Sequence, residues 1–355
     1  MSHQFTTPPD LATDLTAISQ EYRLPGLAWA VSPVDGPVLA GATGQQRTDR
    51  QAKVTVHDRL HLGSCTKPMT ASMLATLIPD RLQWDLRLAD VFPPGEIHEA
   101  YHDATLAYLL AHYAGLPPFD EDHQFLAAPE PRGSQAQQRD TFARWALKQE
   151  PAVLPGTYLY SNAGVGVAAV VAERITGRTW EELMHERLFA PLELPSAGFG
   201  WPGRTHTAEP WGHQWVDGAW TPHDPNGTYQ LHPGIGPAGD VYMSILDFAV
   251  FAREHLRGLL GSGRLLDQDS YRRIHAPFLP GGQSGLGWGV STYRGRQAST
   301  HSGSAETFLA LIVVLPDEGH AFVAVTNAAG GSADAGTRAA LSHLVGRFTG
   351  ARVGT

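Results

Sequence analysis

Ser64 and Lys67 are the residues whose types and spacing most directly offer chemistry. A serine hydroxyl is a weak nucleophile until a neighbouring base takes its proton during attack. Residues three apart share one helical face, so an amine at 67 can meet a hydroxyl at 64. Lys67 is one of only three lysines against 23 arginines. It can serve as a base only if burial or another cation lowers its pKa, because a solvated lysine is protonated at pH 7. Taken alone, the spacing has a plain structural alternative: a surface Lys67 beside a helix-capping Ser64. Cys65, the only cysteine, reads as a small residue packed at the helix start, and no internal disulfide can form.

Two later stretches could complete a site. Tyr160 and Asn162 lie between a turn-forming Leu154-Pro155-Gly156 and an apolar run. The Tyr160 phenol could relay a proton to a leaving group if its own pKa is depressed or Lys67 shares the proton. Asn162 could hold Lys67 or orient a substrate carbonyl; the structural alternative is that it caps a helix. His301-Ser302-Gly303 follows a strand-like run, where Gly303 would let a substrate approach a strand edge closely. The backbone N–H groups of Ser64 and Ser304 could then form an oxyanion hole, and His301 could donate a hydrogen bond or tune Lys67 and Tyr160.

These stretches resemble the motifs of the serine β-lactamase-like, penicillin-binding-protein fold family. The similarity is greatest to the branch holding class C β-lactamases, DD-peptidases, D-aminopeptidases and esterases. Ser64-x-x-Lys67, Tyr160-x-Asn162 and His301-Ser302-Gly303 match its three motifs in order. Leu109-Leu110-Ala111-His112-Tyr113-Ala114-Gly115-Leu116-Pro117, Pro237-Ala238-Gly239 and Val325-Thr326-Asn327 resemble its surroundings. The resemblance covers about residues 10 to 350. It implies Ser64 as nucleophile and Lys67, Tyr160, Asn162 and His301 as its catalytic company. His112, Ser302 and Gly303 are expected among substrate-binding residues. Class C β-lactamases and DD-peptidases usually carry lysine where this chain has His301. A neutral histidine offers no permanent cation to a substrate carboxylate, which tilts the expectation toward an esterase or aminopeptidase-like member.

The elements that must position these groups are legible in outline. Pro68 cannot bond to the Ser64 carbonyl, so Ser64 belongs to the opening turn of a helix with Met69, Met73, Leu74, Leu77 and Ile78 on its apolar face. A first helix is expected over 14–22, strands over 27–31 and 37–43, and an apolar helix over 162–175 ending at Gly177. Thr179 and Glu182 have capping-box spacing, and Ser244 can cap another apolar helix. Strands return over 287–293, 297–301, 307–315 and 321–326, before a closing helix over 334–348. The expected fold is α+β and two-lobed: an antiparallel sheet built from both chain ends (1–80 and 285–355), flanked by helices, with a mostly helical lobe inserted over 81–284.

Composition narrows the partners. The formal charge is −9 with both signs interspersed, so a nucleic-acid surface is not expected. No signal-peptide pattern opens the chain and no apolar run reaches membrane-spanning length, which gives a cytoplasmic, non-membrane expectation. His206, His213, His223 and His232 are too widely spaced for a compact metal site, so neither metal nor cofactor is expected. Phe199, Trp201, Trp211, Trp215, Trp220 and Tyr229 could line the substrate side of the cleft, with Trp211, Trp215 and Trp220 the chosen contacts. The rings could equally anchor a long loop. Phe119, Asp120, Glu121, Asp122 and His123 could form another rim. The leading function is hydrolysis of a small ester through an acyl-enzyme, with no obligate protein partner. The alternatives are D-aminopeptidase, DD-peptidase or β-lactamase-type amide hydrolysis, or a catalytically weak binding protein.

Overall fold

The computed structural model describes residues 5–349 apart from 79, 94, 207, 228 and 229, and apart from the side chains of 122 and 205. Both chain ends feed one seven-stranded sheet. Its spatial order is Phe5–Thr6, Val38–Gly44, Gly26–Pro33, His320–Thr326, Leu309–Leu315, Arg296–Ser304 and Gly289–Tyr293. All neighbours are antiparallel except the short first strand, which runs parallel to Val38–Gly44. The ends meet where Thr326 faces Leu27 and His320 faces Pro33.

Alternation along the central strands sorts the core into two layers. Trp29, Val31 and Phe322 pack with Leu11, Leu15 and Leu344 from the terminal helices Pro9–Glu21 and Ser332–Phe348. Ala28, Ala30, Val323 and Val325 face the other way, toward Phe248 and Phe251. Those two phenylalanines belong to the helix Ile245–Leu259, which Ser244 caps as expected. This helix falls within the stretch expected as the inserted lobe, yet it lies on the sheet: Ser32 Oγ donates to Ala249 O at 3.0 Å. Packing against both sheet and helices buries most of its residues, Asp247, Glu254 and His255 among them.

The helices away from the sheet include Gln135–Lys148, Asn162–Thr176 and Trp180–Met184. They are tied by Arg139, 2% exposed, which donates to both Glu173 and Glu181. Gly177 ends the 162–176 helix in a left-handed conformation, and Thr179 and Glu182 form the capping box. One strand differs from the sequence expectation in a way that matters for the site. It continues to Ser304, so His301-Ser302-Gly303 is paired with Ile312, Leu311 and Ala310 and lies in the strand itself.

Candidate active site

The helix Thr66–Ala75 follows a tight turn at Gly63–Cys65, and every one of its ten residues is buried. Lys67 therefore points into protein, with 0% exposure. Its Nζ lies 2.9 Å from Ser64 Oγ, 2.7 Å from Asn162 Oδ1 and 2.9 Å from Ala238 O. Burial lowers the Lys67 pKa to about 7. The three partners suit both protonation states. An ammonium would donate to all three, while a neutral amine would donate to the two carbonyl oxygens and turn its lone pair to the serine hydroxyl.

Asn162 opens the helix Asn162–Thr176, but Ser161 caps it by accepting the Gly164 N–H at 3.0 Å. That frees the Asn162 amide. Its Nδ2 donates to Phe119 O at 2.9 Å, and because a carbonyl can only accept, this contact turns Oδ1 toward Lys67. Burial raises the Tyr160 pKa, and the nearby Ser64 hydroxyl offsets this only in part. Tyr160 is thus a protonated phenol and a proton donor; the depressed pKa that a base would need is not found. Lys67 Nζ sits 4.7 Å from its ring centre, a favourable place for a positive charge.

His112 takes a left-handed conformation (φ 67°) at the end of the helix Leu106–Ala111 and packs on Tyr160 with ring centres 4.5 Å apart. Its Nδ1 accepts the Ser161 N–H at 3.2 Å. Burial, then the charge of Lys67, lowers its pKa to about 3, so the ring is neutral. His112 supports Tyr160 from behind and does not line the cavity at Ser64. His301 is half-buried on its strand, with Nδ1 2.8 Å from the carbonyl oxygen of Ser302. Burial and then Lys67 lower its proton affinity too, so it brings no permanent cation.

Gly303 has a different use from the one its sequence suggests. A Cβ there would lie 2.0 Å from Leu62 O and 2.6 Å from the nitrogens of both Ser64 and Cys65. The space is occupied by the turn carrying Ser64, and close strand-to-turn packing leaves no gap there for substrate. Gly63 makes the reciprocal approach: with φ +50°, its missing Cβ would lie 2.7–2.8 Å from the Ser304 backbone. Ser64 and Ser304 are thereby brought to one cavity wall, as an oxyanion pair requires. Ser302 is exposed on the strand and is not among the lining residues. Cys65 is buried with its thiol pKa raised by burial, and its sulfur faces His301 O and Ala310 O.

The cavity holds about 420 Å³. Phe119, Phe125, Leu231 and Ile235 supply apolar wall, and Asp120 and Glu306 supply carboxylates. Phe119 and Asp120 belong to the rim noted from sequence; Phe125, Leu231, Ile235 and Glu306 carried no comparable signal. Trp211, Trp215 and Trp220 are placed elsewhere. Arg47 stacks on Trp211 at 3.6 Å, and Trp215 meets Trp220 edge-on at 4.9 Å in the hairpin His213–Val216 and Ala219–Pro222. Trp220 Nε1 donates to Arg23 O at 2.7 Å, which anchors that hairpin away from the cavity. Tyr229 lies outside the described residues. Among the described residues no group of three or more His, Cys, Asp or Glu could hold a metal ion. No helix among them is long and apolar enough to cross a membrane.

With this geometry in view, likeness to known proteins can be placed. The chain is 24% identical over 350 residues to an unguisins hydrolase of Aspergillus campestris, covering 95% of this chain and 64% of that protein. It is 27% identical over 361 residues to penicillin-binding protein 4 of Amycolatopsis lactamdurans, covering 95% and 89% of the two. The chain thus spans just under two thirds of the first relative's length. The D-amino acid amidase of Ochrobactrum anthropi SV3 shares the fold, with a TM-score of 0.73, 22% identity and coverage of 96% and 97%. The Beta-lactamase family model matches residues 11–347. The chain belongs to the Beta-lactamase family.

Proposed function

We propose that this member of the Beta-lactamase family hydrolyses small carboxylic esters through an acyl-enzyme on Ser64. One observation carries the reading: a buried Lys67, poised near neutrality, lies 2.9 Å from Ser64 Oγ. Neutral Lys67 takes the Ser64 proton as Oγ bonds to the ester carbonyl carbon. Charge developing on the carbonyl oxygen is met by the backbone N–H groups of Ser64 and Ser304. The lysinium that results faces the Tyr160 ring. Tyr160 gives its proton to the departing alkoxide and regains one from Lys67, so the carbon–oxygen bond breaks with no net proton change. A water then yields its proton to Lys67, its oxygen bonds to the acyl carbon, and Ser64 leaves reprotonated.

The lining supports uncharged or cationic substrates over anionic ones. It contains Asp120 and Glu306 and, among the described residues, neither lysine nor arginine. A penicillin carboxylate would find no cation there, and His301 supplies none. Amide cleavage of D-amino acid derivatives is the second reading, favoured by the near-complete overlap with a D-amino acid amidase. A Lys67 in hydrogen-bonding reach and an open cavity argue against a binding-only protein.

The test compares p-nitrophenyl acetate, D-alanine p-nitroanilide and benzylpenicillin on the native protein and on Ser64→Ala. Expected kcat/KM falls in that order, and Ser64→Ala loses all three activities. Faster anilide than ester turnover would replace the first reading by the second. Ester hydrolysis surviving in Ser64→Ala would remove both.

A further inference from the structure

The nucleophile turn is aligned along its whole length by one short segment, residues 237–241. Pro237 O accepts from Thr70 Oγ1 at 2.7 Å and Ala238 O accepts from Lys67 Nζ at 2.9 Å. Val241 N donates to Thr66 Oγ1 at 3.0 Å, and Val241 O accepts from Leu62 N at 2.9 Å. One side-chain pair continues this alignment at the near side of Ser64. His61 Nε2 lies 3.5 Å from Asp240 Oδ1.

His61 is 1% exposed, three residues before Ser64, at the end of the strand Arg59–His61. Its Nδ1 accepts the Gly63 N–H at 3.1 Å. An accepting Nδ1 carries no proton, so in the neutral ring the proton is on Nε2, on the side facing the Asp240 carboxylate. That nitrogen is buried and makes no hydrogen bond among the described residues, so the Asp240 carboxylate at 3.5 Å is an electrostatic neighbour and not a bonded partner. Trp201 holds the ring from one side, with centres 4.6 Å apart. The Gly63 N–H would otherwise be a buried donor without a partner, and Gly63 is the residue whose backbone presses on Ser304.

We propose that His61 is a positioning residue for Ser64: packed on Trp201 and facing Asp240, it fixes the Gly63 peptide and so aims both the Ser64 hydroxyl and the paired Ser64 and Ser304 N–H groups. The inference rests on Ser64 being the nucleophile. It adds a side-chain support that none of the three motifs contains. A misplacement of about 1 Å in such a turn can cost on the order of 100-fold in rate, whereas substrate binding in the cavity is made by other residues. The effect belongs in kcat and leaves KM nearly unchanged.

The molecule contains its own control. His98 Nδ1 accepts the Ala100 N–H at 3.2 Å, and His98 Nε2 lies 3.4 Å from Glu150 Oε1. The hydrogen-bonding pattern is the same, but His98 is 27% exposed and does not adjoin the turn that carries Ser64. The experiment measures phosphonylation of Ser64 by a fluorophosphonate, with loss of fluoride, and kcat and KM for an aryl ester, with thermal melts for each variant. His61→Ala is expected to lose about 10- to 100-fold in kcat and in labelling rate at unchanged KM, and His98→Ala less than about twofold. His61→Asn returns an acceptor oxygen close to the Nδ1 position and is expected to recover most of the loss. His61→Gln, whose polar atoms reach toward the Nε2 position, is expected to recover little. Asp240→Ala is expected to give a smaller kcat loss of the same kind.

If His61→Ala does not fold, the Asn and Gln variants decide between themselves. Equal rates in those two, a His61→Ala kcat within twofold of native, or a loss that appears in KM instead would overturn the proposal. Failure of the native protein to label at Ser64 would overturn the acyl-enzyme reading, which is a separate outcome.

Discussion

The rear and the front of the cavity are built on different principles. At the rear, Lys67, Asn162 and Ala238 are joined by short hydrogen bonds. Lys67 and Ala238 are almost wholly shut off from water. Each polar atom has its partner, so geometry and protonation are set together. At the front, Asp120 and Glu306 are exposed on loops, beside the rings of Phe119 and Phe125. Charges there are screened by water and contribute in proportion to what a substrate displaces. Phe119 belongs to both regions: its carbonyl fixes the Asn162 amide, while its ring forms cavity wall. Under the proposed acyl-enzyme mechanism, the rear would decide whether acyl transfer occurs and the front on what.

The largest effects should therefore come from the rear. Ser64→Ala is expected to lower kcat/KM for an aryl ester by about 1,000-fold or more, read as initial rates with and without the substitution. Lys67→Met should cost about 100- to 10,000-fold, the range for losing a positioned general base. It should also change the pH dependence of stability. Folding lowers the Lys67 pKa from 10.5 to about 7, so the unfolded chain binds more protons between those values. Native stability then rises with pH through that window, and below about pH 7 the full penalty is present. Lys67→Met escapes that penalty but leaves two carbonyl oxygens unpaired. Its stability relative to native should consequently fall as pH rises from 6 to 10, as denaturant melts at several pH values would show. In the native protein, kcat/KM should rise with pH through about 7 as Lys67 loses its proton. A flat profile there would break the rear-wall account. Tyr160→Phe keeps the ring beneath Lys67 and removes only the phenolic hydroxyl, so a loss of about 10- to 100-fold is expected, larger for poor leaving groups.

The same division explains what could be read in the sequence. Ser64 and Lys67 are three residues apart at a helix start, where spacing alone fixes their relation. Tyr160 and Asn162 flank a capping serine, and the chain direction at that cap carries both to the site. The strands and most helices followed from periodicity and caps. The third partner of Lys67 was not legible, because a backbone carbonyl at Ala238 has no side-chain signature. His61 was missed for a related reason: Asp240, its neighbour in the proposed role, is brought beside it by pairing of the strand Arg59–His61 with Val241–Ser244. Gly303 was noticed but given the wrong neighbour, since only the tertiary path reveals that a turn fills the space beside it. The aromatic stretch drew attention by composition, yet a hairpin directs Trp215 and Trp220 away from the cavity.

Smaller effects should map the front. Asp120→Asn and Glu306→Gln are expected to change the preference for a cationic over a neutral acyl donor by roughly two- to fivefold each, as suits exposed charges in water. The shift should shrink as salt is raised, which kcat/KM ratios at low and high ionic strength would measure. Effects as large as those of the rear wall, or independent of salt, would mean that substrate buries these carboxylates completely.

The smallest catalytic effect should come from the tryptophans of the hairpin. Trp220→Ala removes the donor to Arg23 O and the edge-on partner of Trp215. Its ring also packs against the core layer that includes Trp29 and Phe322. The loss should be about 1–3 kcal/mol in stability, with kcat/KM within about twofold of native. Denaturant melts and ester kinetics on one preparation separate the two quantities. A large fall in kcat/KM without loss of stability would bring the hairpin back to the substrate, and the front wall would then have to extend past Glu306 to reach it.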